Sequence, residues 1–84
     1  MPEKGWLHCK IMKGMFSDER IIKILRTGMT FFVHRDQVQG DIDRDGKVRV
    51  YLLKRDNCFW AILPTEDVTI IQVESDELEL AEAV

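Results

Sequence analysis

Eighty-four residues, 45% of them apolar and 32% charged, make one globular domain and leave no room for a second. The net charge is −3, and five of the 15 acids (Glu74, Asp76, Glu77, Glu79, Glu82) crowd into the last segment, which leaves residues 1–73 at +2. That balance excludes the electrostatic footprint of a general nucleic-acid binder, and no apolar run approaches the ~20 residues of a membrane-spanning helix. The opening "MPEKGWLHCK" has no apolar signal core, so a cytoplasmic protein is expected. Cys9 and Cys58 then stay reduced and behave as small hydrophobes, since a disulfide between them needs an oxidising compartment.

Apolar residues recur with period two, which predicts strands. The first is "WLHCKIM" (6–12), with Leu7, Cys9 and Ile11 on one face and Trp6, His8 and Lys10 on the other. "KGMFSDE" turns the chain into "RIIKIL" (20–25), and Gly28 allows a reversal into "MTFFVH" (29–34). "RDQV" reads as a short helical turn anchored by Val38. "KVRVYLL" (47–53) points Val48, Val50 and Leu52 inward and Lys47, Arg49 and Tyr51 outward. "RDN" turns into "CFWAIL" (58–63), Pro64 ends that ladder, and "TIIQV" (69–73) closes the set. The expected core is Leu7, Cys9, Ile11, Ile22, Ile24, Phe31, Val33, Val38, Val48, Val50, Leu52, Trp60, Ile62, Val68 and Ile70. Residues 74–84 read as an acidic tail. It either forms a short helix over 77–83, capped by Asp76 and Glu79, or frays beyond about residue 78.

Two stretches echo each other. "FFVHRDQV" (31–38) and "AILPTEDV" (61–68) both run from an apolar strand end through an acidic turn to a valine. They suggest two units of about 30 residues, or simply corners of the kind a small barrel reuses, and the second explanation is preferred. "AILPTEDV" resembles the end of the SH3 fold, where a strand meets a proline, makes one 3-10 turn and re-enters the sheet at a valine. The resemblance implies an SH3-like barrel. It does not extend to polyproline recognition, because the paired aromatics and acidic loop of that family are missing. The expected fold is therefore all-β: a small SH3-like barrel or strongly bent antiparallel sheet of five to six strands, with 3-10 turns at both valine-ended corners.

Chemistry is sparse. "DIDRDGKV" has the acids, glycine and apolar residue of half a calcium loop, with Asp41, Asp43 and Asp45 as ligands. The bidentate glutamate due at the twelfth position is Leu52, and the bases Arg44 and Lys47 intervene. The same segment reads more simply as a hairpin turn, with Asp45 and Gly46 at positive φ and Ile42 paired with Val48. Neither histidine has a spaced metal partner, and no phosphate loop or activated nucleophile is present. No cofactor, membrane association or enzymatic activity is expected.

The outward faces say more. Trp6, Lys10, Lys47, Arg49 and Tyr51 interleave bases and aromatics like a single-strand nucleic-acid platform, although an ordinary solvated sheet face has the same composition. Adjacent apolar pairs (Ile21-Ile22, Phe31-Phe32, Leu52-Leu53, Phe59-Trp60, Ile70-Ile71) must send one member of each to the outside, and "GMFSD" adds Met15 and Phe16. Met15, Phe16, Ile21, Phe32, Leu53 and Phe59 are thus the expected interface. The leading expectation is a self-associating, non-enzymatic binding module that contacts copies of itself or another protein. Nucleic acid and weak calcium binding are the alternatives.

Overall fold

A computed structural model describes residues 3–80. Eight strands form one antiparallel sheet, and no α-helix occurs among the described residues. β1 (Glu3–Lys13), β2 (Glu19–Ile24) and β3 (Thr30–His34) lead into a 3-10 turn (Arg35–Gln37) and the two-residue β4 (Val38–Gln39). β5 (Arg44–Arg55), β6 (Cys58–Leu63) and β7 (Thr69–Val73) lead into a second 3-10 turn (Ser75–Glu77) and β8 (Leu78–Leu80). The strand order is β3-β2-β1-β5-β6-β7, with β4 added beside β5 and β8 beside β1. The sheet curls into a half-barrel whose two outermost strands, β3 and β7, keep free edges.

The chain is one unit used twice. Each half runs through three strands, a 3-10 turn and a short fourth strand. Leu7 stands directly opposite Val48, and an approximate two-fold axis passes between them. About it Ile11↔Ile22 corresponds to Leu52↔Ala61, Ile22↔Phe31 to Ala61↔Ile71, and Arg20↔Val33 to Phe59↔Val73. The short strands are exchanged: β4 of the first half pairs with β5 through Val38↔Val48, and β8 of the second pairs with β1 through Leu78↔Leu7. The buried core consists of six corresponding pairs: Leu7/Val48, Cys9/Val50, Ile11/Leu52, Ile22/Ala61, Ile24/Leu63 and Val33/Val73. Phe31/Ile71 and Val38/Leu78 pack against it in the same relation. The repetition therefore exists, but it matches 31–40 with 71–80 rather than "FFVHRDQV" with "AILPTEDV".

Gly5 and Gly46 mark where the exchanged strands cross, and the reason is steric. A Cβ on Gly5 would come within 2.6 Å of Leu52 Cδ1 and 3.0 Å of the Glu79 carbonyl oxygen. On Gly46 it would strike the corresponding atoms, Ile11 Cδ1 and the Gln39 carbonyl oxygen. Gly46 thus lies inside β5, opposite Cys9, and makes no turn. The bend expected at Asp45-Gly46 falls instead between β4 and β5, where Gly40 and Asp43 have positive φ, and Val48 pairs with Val38 rather than Ile42.

Three further expectations are corrected. In β6 and β7 the inward phase is opposite: Ala61, Leu63, Ile71 and Val73 face the core, while Trp60, Ile62 and Ile70 face out. The pairing is set by a two-residue hairpin. Asp56 and Asn57 take φ of 54° and 63°, the signature of a type I′ turn, so Arg55 meets Cys58 and the inward Leu52 meets Ala61. Residues 64–68 make no 3-10 turn and Val68 is 77% exposed, so the SH3-like corner is not formed. The acidic tail is neither helical nor frayed through Leu80. Glu74 and Glu77 form the capping box of its 3-10 turn, and β8 pairs with β1. The remainder of the tail lies outside the described residues.

Candidate functional site

Direct cross-strand partners share a face, so the register lays out the outer surface. Lys4, Trp6, His8 and Lys10 of β1 stand beside Tyr51, Arg49, Lys47 and Asp45 of β5. The platform residues Trp6, Lys10, Lys47, Arg49 and Tyr51 are therefore brought together. Lys47 Nζ lies 5.0 Å and Arg49 Cζ 5.3 Å from the centre of the Trp6 ring. Glu79, delivered by β8, bonds Lys47 Nζ at 3.0 Å and lies 3.8 Å from His8 Nε2. The tryptophan already carries cations, and one of them is neutralised.

Toward β7 the same face turns apolar. Tyr51, Ile62 and Ile70 form one row across three strands, and Leu53 and Trp60 form the next. Tyr51 is 45%, Leu53 37% and Ile70 52% exposed. A groove of about 530 Å³ beside them is lined by Leu53, Lys54, Arg55, Asp56, Cys58, Trp60 and Ile70. At the far corner Phe32, 54% exposed, pairs with the half-buried Ile21. Met15 and Phe16 are exposed on the β1–β2 loop. Phe59 is the exception among the expected interface residues. It packs against the core because the β6 register turns it inward, and its place on the outer face is taken by Trp60.

A second concavity, of about 750 Å³, opens between β3 and the β6–β7 loop. Four carboxylates (Asp18, Glu19, Glu66, Asp67) line it, together with His34, Phe31, Phe32 and Pro64, and none of its lining residues is lysine or arginine. Sequence reasoning missed it because its walls come from turns far apart in the chain. The signal available was the acid content of those two turns.

The remaining candidates do not assemble. Among the described residues no three His, Cys, Asp or Glu side chains are placed to hold a metal ion, and Asp41, Asp43 and Asp45 do not converge. Asp43 instead donates its backbone N–H to the Ile11 carbonyl at 2.7 Å, closing the β4–β5 loop on β1. Both cysteines are free thiols: Cys9 is buried at the sheet centre and Cys58 is half-buried at the β5–β6 hairpin. Burial, reinforced by the nearby Asp45 carboxylate, pushes the Cys9 thiol up to about 12. No helix of the described residues is long and apolar enough to cross a membrane. Comparison of the chain with models of protein families, with curated proteins and with solved structures finds no match.

Proposed function

We propose that the protein is a non-enzymatic binding and assembly module that self-associates through the outer face of β5, β6 and β7. The observation that carries this is the contiguous block of Tyr51, Leu53, Trp60, Ile62 and Ile70, in which the exposed Tyr51 and Leu53 of β5 and Ile70 of β7 flank the half-buried Trp60 and Ile62 of β6. A protein this small has little reason to leave such a block in water unless something covers it. The rim carries Lys54 and Arg55 beside Asp56, so it holds both signs of charge. A surface of that kind can face its own copy across a two-fold, basic residues against acidic ones.

Size-exclusion chromatography with light scattering tests the reading. The wild-type chain should run as a dimer or larger, and the double variant Leu53→Lys, Ile70→Lys should run as a folded monomer. A wild-type monomer at every accessible concentration overturns it.

Single-strand nucleic-acid binding is the second reading, favoured by the grouping of Trp6, Lys10, Lys47, Arg49 and Tyr51 on one face. Base stacking there must displace Lys47 or Arg49 from the Trp6 ring. In a Trp60→Phe background, Trp6 fluorescence that an oligonucleotide quenches at low salt supports this reading, and unchanged fluorescence dismisses it.

A further inference from the structure

The two halves differ at one place in a way that points to a ligand. In the first half, the β2–β3 loop sends Arg26 across to β7, the outermost strand. Its Nη2 donates to the Gln72 carbonyl at 2.9 Å and its Nε to Glu77 Oε1 at 2.9 Å. The guanidinium thereby joins one free sheet edge to the 3-10 turn beyond it. Glu77 Oε1 also accepts the Glu74 backbone N–H at 2.9 Å, so arginine, carboxylate and turn form one unit.

The corresponding place in the second half lies between the β6–β7 loop and β3. Counted from the end of the preceding strand, Thr65 stands where Arg26 stands, and Glu66 and Asp67 follow it. The Thr65 hydroxyl is turned back on its own loop, bonding the Asp67 carbonyl and sharing a hydrogen bond with Thr69 Oγ1. By the pairing register, Phe32 of β3 corresponds to Gln72 of β7. Among the described residues no side chain donates to the Phe32 carbonyl. What is filled by an arginine in one half is therefore the open cleft of about 750 Å³ in the other.

The cleft's chemistry fits the missing group. Asp18, Glu19, Glu66 and Asp67 line it with no lysine or arginine among them, His34 stands 3.9 Å from Asp18, and Phe31, Phe32 and Pro64 supply apolar and aromatic surface. A guanidinium is planar, presents several fixed donors and lies well on an aromatic face. The free edge of β3 alongside offers backbone groups to an extended chain. We propose that this cleft binds an arginine side chain carried on an extended peptide segment of a partner protein. The arginine takes the place of Arg26 at the sheet edge, bonding the Phe32 carbonyl as Arg26 bonds that of Gln72. Its carboxylate partners are those of the cleft itself, because the counterpart of Glu77 is Gln37, which does not line the cleft. This site lies apart from the apolar face on β5–β7 and does not depend on it.

The probe is the blocked tripeptide acetyl-Thr-Arg-Thr-amide, titrated into isotopically labelled protein and followed by backbone amide NMR. Saturable shifts should cluster on residues 30–34 and 65–69. Replacing the probe's arginine by citrulline keeps its shape and removes its charge, and should weaken binding by about tenfold or more. Lysine in its place should fall between the two. Thr65→Arg supplies the guanidinium from within the chain and should abolish binding. The double variant Glu66→Gln, Asp67→Asn alters only exposed groups and should weaken binding by about tenfold. The self-association variant Leu53→Lys, Ile70→Lys should bind the probe like the wild type. Absence of saturable shifts at about 5 mM probe, equal affinity for the arginine and citrulline probes, shifts centred elsewhere, or undiminished binding by Thr65→Arg each overturns the proposal.

Discussion

The two halves share a backbone plan and almost no side chains. Gly5/Gly46, Lys13/Lys54, Val33/Val73 and Asp36/Asp76 are among the few corresponding identities. The glycines sit where exchanged strands cross, and the valines sit in the core. Elsewhere the halves diverge: Ile22 against Ala61 inside, Lys23 against Ile62 outside, Arg26 against Thr65 in the loop. The interior tolerates change in size as long as it stays apolar. The outer surfaces have diverged position by position, as in Lys10 against Tyr51 and Lys23 against Ile62. The fold therefore depends on a small set of steric and packing requirements, and the changes in polarity lie on the outer surfaces.

The comparison can be broken at its centre. Leu7 lies beside the two-fold axis, is fully buried, and pairs with both Val48 and Leu78. Leu7→Ala should cost about 2–5 kcal/mol, measured by chemical denaturation. A loss well under that would show that β8 contributes little there. Gly46→Val forces a side chain into the Gln39 carbonyl and Ile11 and should cost about 1–3 kcal/mol. The same substitution at Gly5 should behave alike if the halves are mechanically equivalent. A large difference between the two would show that one crossing is looser.

Cys9 sharpens the comparison through pH, because its counterpart Val50 cannot ionise. The folded thiol titrates about 12, above its ordinary 9, so the unfolded chain loses this proton first as pH rises. The associated stability is complete below pH 9 and is lost progressively from there toward 12, by at most about 1.4 kcal/mol per pH unit. Melting curves of wild type and Cys9→Val should agree in their pH trend below 9 and diverge above it. Parallel curves through pH 11 would mean that the thiol is accessible. The smallest effect is expected from Arg26→Ala. Arg26 is largely solvent-exposed, so the melting temperature should drop only slightly, while amide exchange at residues 72–77 should quicken. Unchanged exchange would deny that this arginine ties β7 to its turn.

β1, β2, β3 and the first 3-10 turn were legible because polar residues interrupt the apolar ones and fix which face is inward. β6 was not, because "CFWAIL" is apolar on both faces and period two carries no phase there. Its phase was recoverable from Asp56-Asn57, two residues suited to positive φ that force Arg55 onto Cys58. Asp45-Gly46 misled in the opposite sense. It has turn chemistry, yet its glycine answers a steric demand from a strand that arrives from elsewhere in the chain. β8 gave no local signal, since "LEL" acquires its ladder only by reaching β1. The outward surplus of Phe32 and Leu53 could be counted from the sequence. The acid-lined cleft could not, because its walls belong to turns that only the curl of the sheet brings face to face.

The mutual loan of β4 and β8 has a mechanical consequence. A protease that severed the backbone between Gly40 and Asp43 would not release two pieces, because each fragment would still hold the other's closing segment. Separation would require both loans to be withdrawn at once, so a nicked molecule should persist as an interlocked pair long after its continuity is gone.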